Sequence, residues 1–410
     1  MNIYRRLSML ALALVATAGL LVTNAVIARG DAVPGVTDTE ILLGGTHPYS
    51  GPASAYGIIG KAIGVYFAYV NANGGVNGRK ITYKDLDDGY NPAQTVQLVK
   101  QLVEQDHVLA LFNTLGTEPN VAIRPYLNDQ KVPQLFVATG ATTWAEEGAK
   151  YPWTLGFNPD YQAEAIIFAR DMMQRNPNAK IAVLYQNDDF GQDYVTGLKK
   201  GLGAKAGQIV KMASYEVTDP DVGSQMAALK GSGADTLLIA ATPKFAVQAM
   251  VIRAKLSWSP LTYLTNVSAA QFLMNAATKI GSPAATNGII SAAYTIDPSN
   301  PAQAGLAGTK LYRKIMAQYG AGVDAENAFT LYGFAAAYTM VDALKKAGRN
   351  LTRESLMNAA LHLNEANPFF VPGVTLKTSP SDRFPIREEQ LARFQNGSFV
   401  TYGFVIDARK

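Results

Sequence analysis

The stretch Glu40-Ile41-Leu42-Leu43-Gly44, followed by the loop Pro48-Tyr49-Ser50-Gly51-Pro52-Ala53-Ser54-Ala55-Tyr56-Gly57, decides the fold. A short apolar run without polar alternation suits a strand buried on both faces. Helical spacing from Ser54 to Ala72 follows, and the chain returns to a strand-like run at Lys80–Lys84. That is one strand–helix–strand unit, the repeat from which parallel sheets are built.

Working outward, the same unit recurs. Further strand-like runs are expected at His107–Phe112 and Gln134–Ala138. A second series begins at Lys180–Tyr185 and continues with Ile209–Tyr215, Thr236–Ala240, Leu261–Thr265 and Gly288–Ala293. Helical spacing separates them. In Asn91–Gln105 the residues Val96, Val99, Leu102 and Val103 share a face, with Asn91 as N-cap and Pro92 as first helical residue. Tyr161–Gln174, Gln192–Leu202, Lys244–Ala254, Pro301–Tyr319 and Glu326–Lys346 read the same way. The pattern occurs twice, with the break near Tyr151–Tyr161, so the fold class is α/β with two similar lobes.

Residues 1–28 read as a cleavable leader. Arg5 and Arg6 precede an apolar stretch from Leu7 to Val22, and Val26-Ile27-Ala28 offers a small-residue cleavage site near Ala28. The stretch is short for a membrane span of about 20 residues. What remains of the 410 residues exceeds one core, since domains cluster at about 100–200 residues. The net charge of +4 includes both leader arginines, so the rest is close to neutral and carries no electrostatic footprint for nucleic acid or anionic membrane. Cysteine is absent, which excludes thiolate metal sites, a Cys nucleophile, disulfides and a lipidated Cys after the leader. The expected product is a free, monomeric, periplasmic protein without a lipid anchor.

Three groups of residues carry a resemblance. They are Pro48-Tyr49-Ser50-Gly51-Pro52 with Tyr56-Gly57, then Asn71-Ala72-Asn73-Gly74-Gly75-Val76-Asn77-Gly78-Arg79, then Asp87-Asp88 with Asn91-Pro92. In this order and spacing they resemble the amino-terminal lobe of the leucine/isoleucine/valine-binding proteins, periplasmic receptors of ABC importers. Asp189-Phe190-Gly191 resembles the entry to that family's second lobe, and the tail Gly373–Asp407 also fits. The resemblance implies a type I periplasmic binding protein: two doubly wound parallel-sheet lobes joined by three crossover segments. It places the crossings near Phe157, Ala292 and Pro368. Lobe 1 is then 38–157 with 293–367, and lobe 2 is 158–292 with 368–410. It implies cleft closure on a small organic ligand, a membrane permease as partner, no catalysis and no cofactor.

Candidate site residues follow. Asn113-Thr114-Leu115-Gly116-Thr117 lies between a strand and a helix, where free N–H groups and hydroxyls form an anion site. By resemblance Thr114 binds the ligand carboxylate; the plainer reading is that Thr117 caps the next helix. Thr139 and Gly140, in Ala138-Thr139-Gly140-Ala141-Thr142, match the family's second carboxylate loop, where glycine permits close approach. Tyr56 matches a pocket wall residue, with Tyr49 and Trp144 as weaker candidates. The family grips an α-ammonium with carboxylates, but Asn158 and Asn266 stand at the two acid positions and Phe190 where Tyr is common. Asp160, Glu164, Asp188 and Asp189 lie close in sequence and read as solvated loop or helix residues.

The ligand is therefore expected to be an aromatic or aliphatic carboxylate or amide, or an amino acid if a neighbouring acid substitutes. A sensor presenting its ligand state to a membrane receptor has the same sequence signature. An exported hydrolase lacks support: His47, His107 and His362 are scattered, and no Gly-x-Ser-x-Gly, Walker or His-Glu-x-x-His motif occurs. Asp85, Asp87 and Asp88 depart from EF-hand spacing and read as strand-end and capping residues.

Overall fold

The computed structural model describes Val33–Lys410. The leader expected over residues 1–28 lies outside the described residues. Two parallel sheets organise the rest. The first contains β1 (Glu40–His47), β2 (Lys80–Asp87), β3 (Ala110–Phe112), β4 (Gln134–Val137) and β5 (Thr154–Gly156), in the order β2-β1-β3-β4-β5. The second contains β6 (Ile181–Gln186), β7 (Ile209–Tyr215), β8 (Thr236–Ala240), β9 (Leu261–Leu264) and β10 (Ile290–Ala293), in the order β7-β6-β8-β9-β10. The two orders are the same, so the unit read from the sequence is repeated as a whole lobe. A short pair, β11 (Asn364–Glu365) with β12 (Leu376–Lys377), precedes β13 (Glu388–Gln395) and β14 (Ser398–Asp407). This last hairpin extends the second sheet antiparallel from the β10 edge.

Local chemistry explains the elements. Asn91 caps the helix Pro92–Lys100 by accepting from the N–H groups of Ala93 and Gln94, with Pro92 in the first turn. Asp87 accepts from the N–H groups of Tyr49, Ser50 and Gly89, and Asp88 from Tyr90 N–H and the Thr95 hydroxyl. These acids therefore organise the turn after β2. Pro301–Tyr319 is not one helix: a 3-10 turn at Pro301–Gln303 is followed by the helix Ala307–Tyr319.

The core of the first lobe forms where the helix Ala328–Ala347 crosses the helix Ile58–Ala72. A Cβ at Gly333 would lie 2.8 Å from both Ile59 O and Ala62 Cβ, so glycine sets that close approach. Tyr66, Phe334 and Phe369 fill the space beside it. Truncating a buried ring such as Phe334 would cost about 3–5 kcal/mol.

The chain leaves the first sheet after β5, through Phe157–Asp160, and returns after β10 through Tyr294–Ile296. The return segment is hydrogen-bonded to the later stretch Phe369–Val371: Ile296 N–H donates to Phe369 O at 3.0 Å, and Val371 N–H to Tyr294 O at 2.8 Å. The last crossing falls later than Pro368. Val371, Val374, Leu376 and Ile386 still belong to the buried cluster of Leu43 and Phe112, and the chain joins the second sheet only at β13. Arg383 holds this strap to the first lobe by donating to the carbonyls of Pro152 and Thr154.

Candidate functional site

The cleft lies where open α/β sheets bind ligands, beyond the carboxyl ends of the strands. It holds about 1030 Å³ of atom-free space, part of it open to solvent. Rings dominate its wall: Tyr56, Tyr90, Tyr161, Phe190, Tyr294, Phe329, Tyr332 and Phe399. Ile59, Leu115 and Val267 add aliphatic surface, and Thr117, Asn158, Thr242, Asn266 and Ser291 add uncharged polar groups. Among the described residues no Lys, Arg or His lines it, and Asp297 is its one acid.

Four of the expected site residues, Tyr56, Asn158, Phe190 and Asn266, line this space. Three do not. The Thr114 hydroxyl donates to Asn120 Oδ1 at 2.5 Å, and the side chain is fully buried. Thr139 Oγ1 pairs with Thr117 Oγ1 at 2.7 Å and accepts from Ala141 N–H. Gly140 serves the crossing rather than the cavity. Its Cβ would sit 2.0 Å from Pro159 O and 2.8 Å from the Tyr161 ring, so the small residue admits the first crossover segment.

The part of the loop that meets the cavity is shifted by a few residues from Thr114. Gly116 precedes the helix Thr117–Asp129 at φ +101°, and no side chain caps that helix. A Cβ at Gly116 would meet the Tyr90 ring at 2.5 Å. Gly116 and Thr117 both line the cavity; the Gly116 N–H donates to Ala138 O and Pro119 has no N–H, so the Thr117 and Glu118 N–H groups stand at the positive end of the helix dipole. Tyr90 itself has φ +60°, uncommon for a bulky residue, and this strained turn brings its ring to Gly116.

Tyr49 and Trp144 are not on the wall. The Tyr49 hydroxyl donates to Asp85, which also holds buried His47 Nδ1 at 3.0 Å. Burial disfavours the charged imidazole, but the charge and hydrogen bond of Asp85 outweigh it and raise the His47 pKa. Trp144 is buried under Arg124, whose guanidinium lies 4.4 Å from its ring centroid.

The acids near the second lobe's wall have separate roles. Asp160 and Asp188 cap helices by accepting from Gln162 N–H and Gly191 N–H. Burial pushes Asp188 up to about 7. Asp189 is exposed. Asp160 departs from its solvated reading, being 7 % exposed, and so does Glu164, which is fully buried. Its oxygens accept from Asn266 N–H at 2.8 Å and from the Tyr194 hydroxyl at 2.6 Å. Glu389, from β13, accepts from Asn266 Nδ2 at 2.8 Å. Burial raises both carboxyls, Glu389 to about 8, and the proximity of the pair raises Glu164 further. Asp297 is also raised, by burial first, against hydrogen bonds from Ser299 that lower it.

Sequence reasoning missed Glu389 and most of the rings. Tyr90 sits inside Asp88-Gly89-Tyr90-Asn91-Pro92, a turn signal with an aromatic at its centre. Phe329 and Tyr332 start a long apolar helix just after its cap, Asn327.

Two lobes of one topology around a ring-lined cleft are the architecture of a two-lobed solute-binding protein. The model of the periplasmic binding protein family matches residues 40–398, and the chain belongs to that family. Among curated proteins it is similar to Leu/Ile/Val-binding protein homolog 2 of Brucella abortus (strain 2308). The two are 25% identical over 342 residues, covering 82% of this chain and 86% of that protein. Among solved structures it resembles a fatty acid ABC transporter substrate-binding protein from Thermomonospora curvata, with TM-score 0.76 and 23% identity. The match covers 92% of this chain and 95% of that one. It also resembles an ABC transporter solute-binding protein from Rhodopseudomonas palustris BisB5 in complex with 3,4-dihydroxy benzoic acid. There the TM-score is 0.75 and the identity 19%, covering 90% and 98% of the two chains.

Proposed function

We propose that this chain is the periplasmic receptor of an ABC importer for a small carboxylate or amide with an aromatic or branched aliphatic body. Its leader is removed near Ala28, and the free monomer delivers its ligand to a membrane permease. The observation that carries this reading is the composition of the cleft wall: rings and amides, with Asn158 and Asn266 where ammonium-binding acids are expected. The ligand carboxylate is assigned to the uncapped helix start at Gly116–Thr117, and the rings of Tyr90, Phe190 and Phe329 enclose the apolar body. Contacts from both lobes favour the closed form in proportion to their differential affinity. The names of the similar proteins span both chemistries, a fatty acid transporter and a dihydroxybenzoate complex on one side and Leu/Ile/Val-binding homologues on the other.

One observation favours an amino acid instead: Glu164 and Glu389 lie directly behind Asn266. Both are pushed toward the neutral form by burial, and neither is on the cavity wall. An ammonium there would lack a counter-charge, at a cost of about 3–5 kcal/mol, or two to four decades of affinity. Calorimetry with benzoate, 4-hydroxybenzoate, 4-methylpentanoate and leucine decides between the two. Binding of the acids with leucine at least about a hundredfold weaker is expected. Submicromolar leucine binding with no response to the acids would overturn the proposal.

A further inference from the structure

The two asparagines on the cleft wall are held in opposite senses. Asn113 Nδ2 donates to Phe136 O at 2.8 Å, and a carbonyl only accepts, so this end of Asn113 is its donor. The same Nδ2 reaches the Tyr332 oxygen at 3.3 Å, and the Tyr332 hydroxyl donates to Asn158 Oδ1 at 2.8 Å. The acceptor of Asn158 is thereby occupied, and its Nδ2 has no hydrogen-bond partner among the described residues. Asn266 is the reverse. Its Nδ2 donates to Glu389 Oε1 at 2.8 Å, while Oδ1 accepts from no protein group among the described residues. The wall thus presents an amide donor at the first crossover, from Asn158, and an amide acceptor at the second-lobe turn that carries Asn266.

Glu389 has no other evident task. It is 1 % exposed, its second oxygen has no partner, and its only side-chain hydrogen bond goes to Asn266. Burying a carboxyl with one oxygen unpaired is costly, and a leucine would pack at this inward position of β13 without that cost. Glu164 cannot replace it. Both its oxygens are taken, by Asn266 N–H and Tyr194, and Tyr194 is tied in turn to Thr265.

We infer that Glu389 is a positioning residue that fixes the Asn266 amide with its oxygen toward the ligand space. The second lobe then selects ligands carrying an O–H or N–H donor on the end opposite the carboxylate. This rests on the carboxylate reading above and narrows it to hydroxylated or amide-bearing acids. A group that only accepts would face Asn266 Oδ1 without a proton between them, and the buried polar mismatch is penalised.

Two matched pairs test it by calorimetry: 4-hydroxybenzoate against 4-methoxybenzoate, and 2-hydroxy-4-methylpentanoate against 4-methylpentanoate. The wild type is expected to prefer the hydroxylated member of whichever pair binds by about tenfold. Glu389→Met frees the Asn266 amide to rotate, and the preference should fall to about twofold or less. Glu389→Gln keeps a carbonyl for Asn266 Nδ2 and should restore it. A merely structural glutamate would change both members of a pair alike and leave the ratio unmoved. If Glu389→Met does not fold, Asn266→Leu reads the same ratio, and a preference kept in that variant overturns the inference. Equal binding of a pair by the wild type, or an unchanged ratio in Glu389→Met, also overturns it while the carboxylate reading stands. No binding of any of the four overturns both.

Discussion

The Tyr56 hydroxyl donates to the carbonyl oxygen of Val267 at 3.0 Å, joining the first helix of one lobe to the turn that carries Asn266 in the other. The Tyr56 ring lies 5.0 Å from Phe329, which in turn meets Phe272 of the second lobe at 5.4 Å. Polar and aromatic contacts therefore bridge the two lobes on the same side of the cleft.

Removing the polar bridge should cost affinity without harming the fold. Tyr56→Phe keeps the ring and deletes one hydrogen bond worth about 0.5–1.5 kcal/mol. Ligand affinity should fall about two- to tenfold, mainly through faster dissociation, with little change in melting temperature. Unchanged dissociation by stopped-flow would mean the hydroxyl does not hold the closed form.

Thr114 and Thr117 should separate stability from binding. Thr114→Val removes the bond to Asn120, which still accepts from Gln134 Nε2. It should cost about 1 kcal/mol of stability and leave affinity within a factor of about two. Thr117→Val, at the helix start on the cavity wall, should weaken a carboxylate by about 1–3 kcal/mol. Calorimetry and thermal unfolding on both variants check the pair, and the reverse ranking would return the ligand contact to Thr114.

Gly140→Ala should damage the fold rather than the ligand contact. The new methyl meets Pro159 O and the Tyr161 ring, and overpacking of this kind costs about 1–3 kcal/mol or more. Denaturant unfolding should show the loss. Wild-type stability with lost binding would instead place Gly140 at the ligand.

Stability should fall as pH rises from 5.5 to 8.5. Burial holds Glu389 at about 8 and Glu365 and Asp188 at about 7, against 4.5 for a free Glu and 3.8 for a free Asp. Across that window the folded chain keeps protons that the unfolded chain has released, so stability present near pH 5 is lost as pH climbs through 7 and 8. His47 acts with the same sign. Its raised pKa gives stability that is full below the unfolded value of 6.5 and is lost above the folded one. Carboxyls with lowered values, such as Asp87 and Glu147, contribute their change below about pH 4.5, outside the window. Melting temperatures should decline across the range, and Glu389→Gln should flatten the slope. A rise with pH would contradict the assignment.

Much of the architecture was legible because buried parallel strands write themselves as plain apolar runs. Ile181–Gln186 and Thr236–Ala240 are of that kind, and both are interior strands of the second sheet. β5 was not legible, since three residues ending in glycine carry no periodicity. Nor was β13, whose sequence Glu-Glu-Gln-Leu-Ala-Arg-Phe-Gln puts a carboxylate at an inward position. The site divided similarly. Tyr56, Asn158, Phe190 and Asn266 were found through motif position. Which residue of the Asn113–Thr117 turn meets the cavity depends on backbone angles, +51° at Asn113 and +101° at Gly116, that spacing does not reveal. Tyr294 and Tyr332 reach the cleft only through a crossing and a helix start whose placement depends on how the lobes associate.

The hydrogen bonds between Tyr294–Ile296 and Phe369–Val371 brace the returning connection against a stretch that still packs with the first lobe. With the returning connection braced in this way, opening is expected to be a swing of the second lobe rather than a general loosening. One interlobe distance then reports the full conformational coordinate. The chain contains no cysteine, so two introduced thiols, one on each lobe, would carry a donor and acceptor dye at defined positions. Single-molecule energy transfer between them would follow ligand capture as a two-level signal.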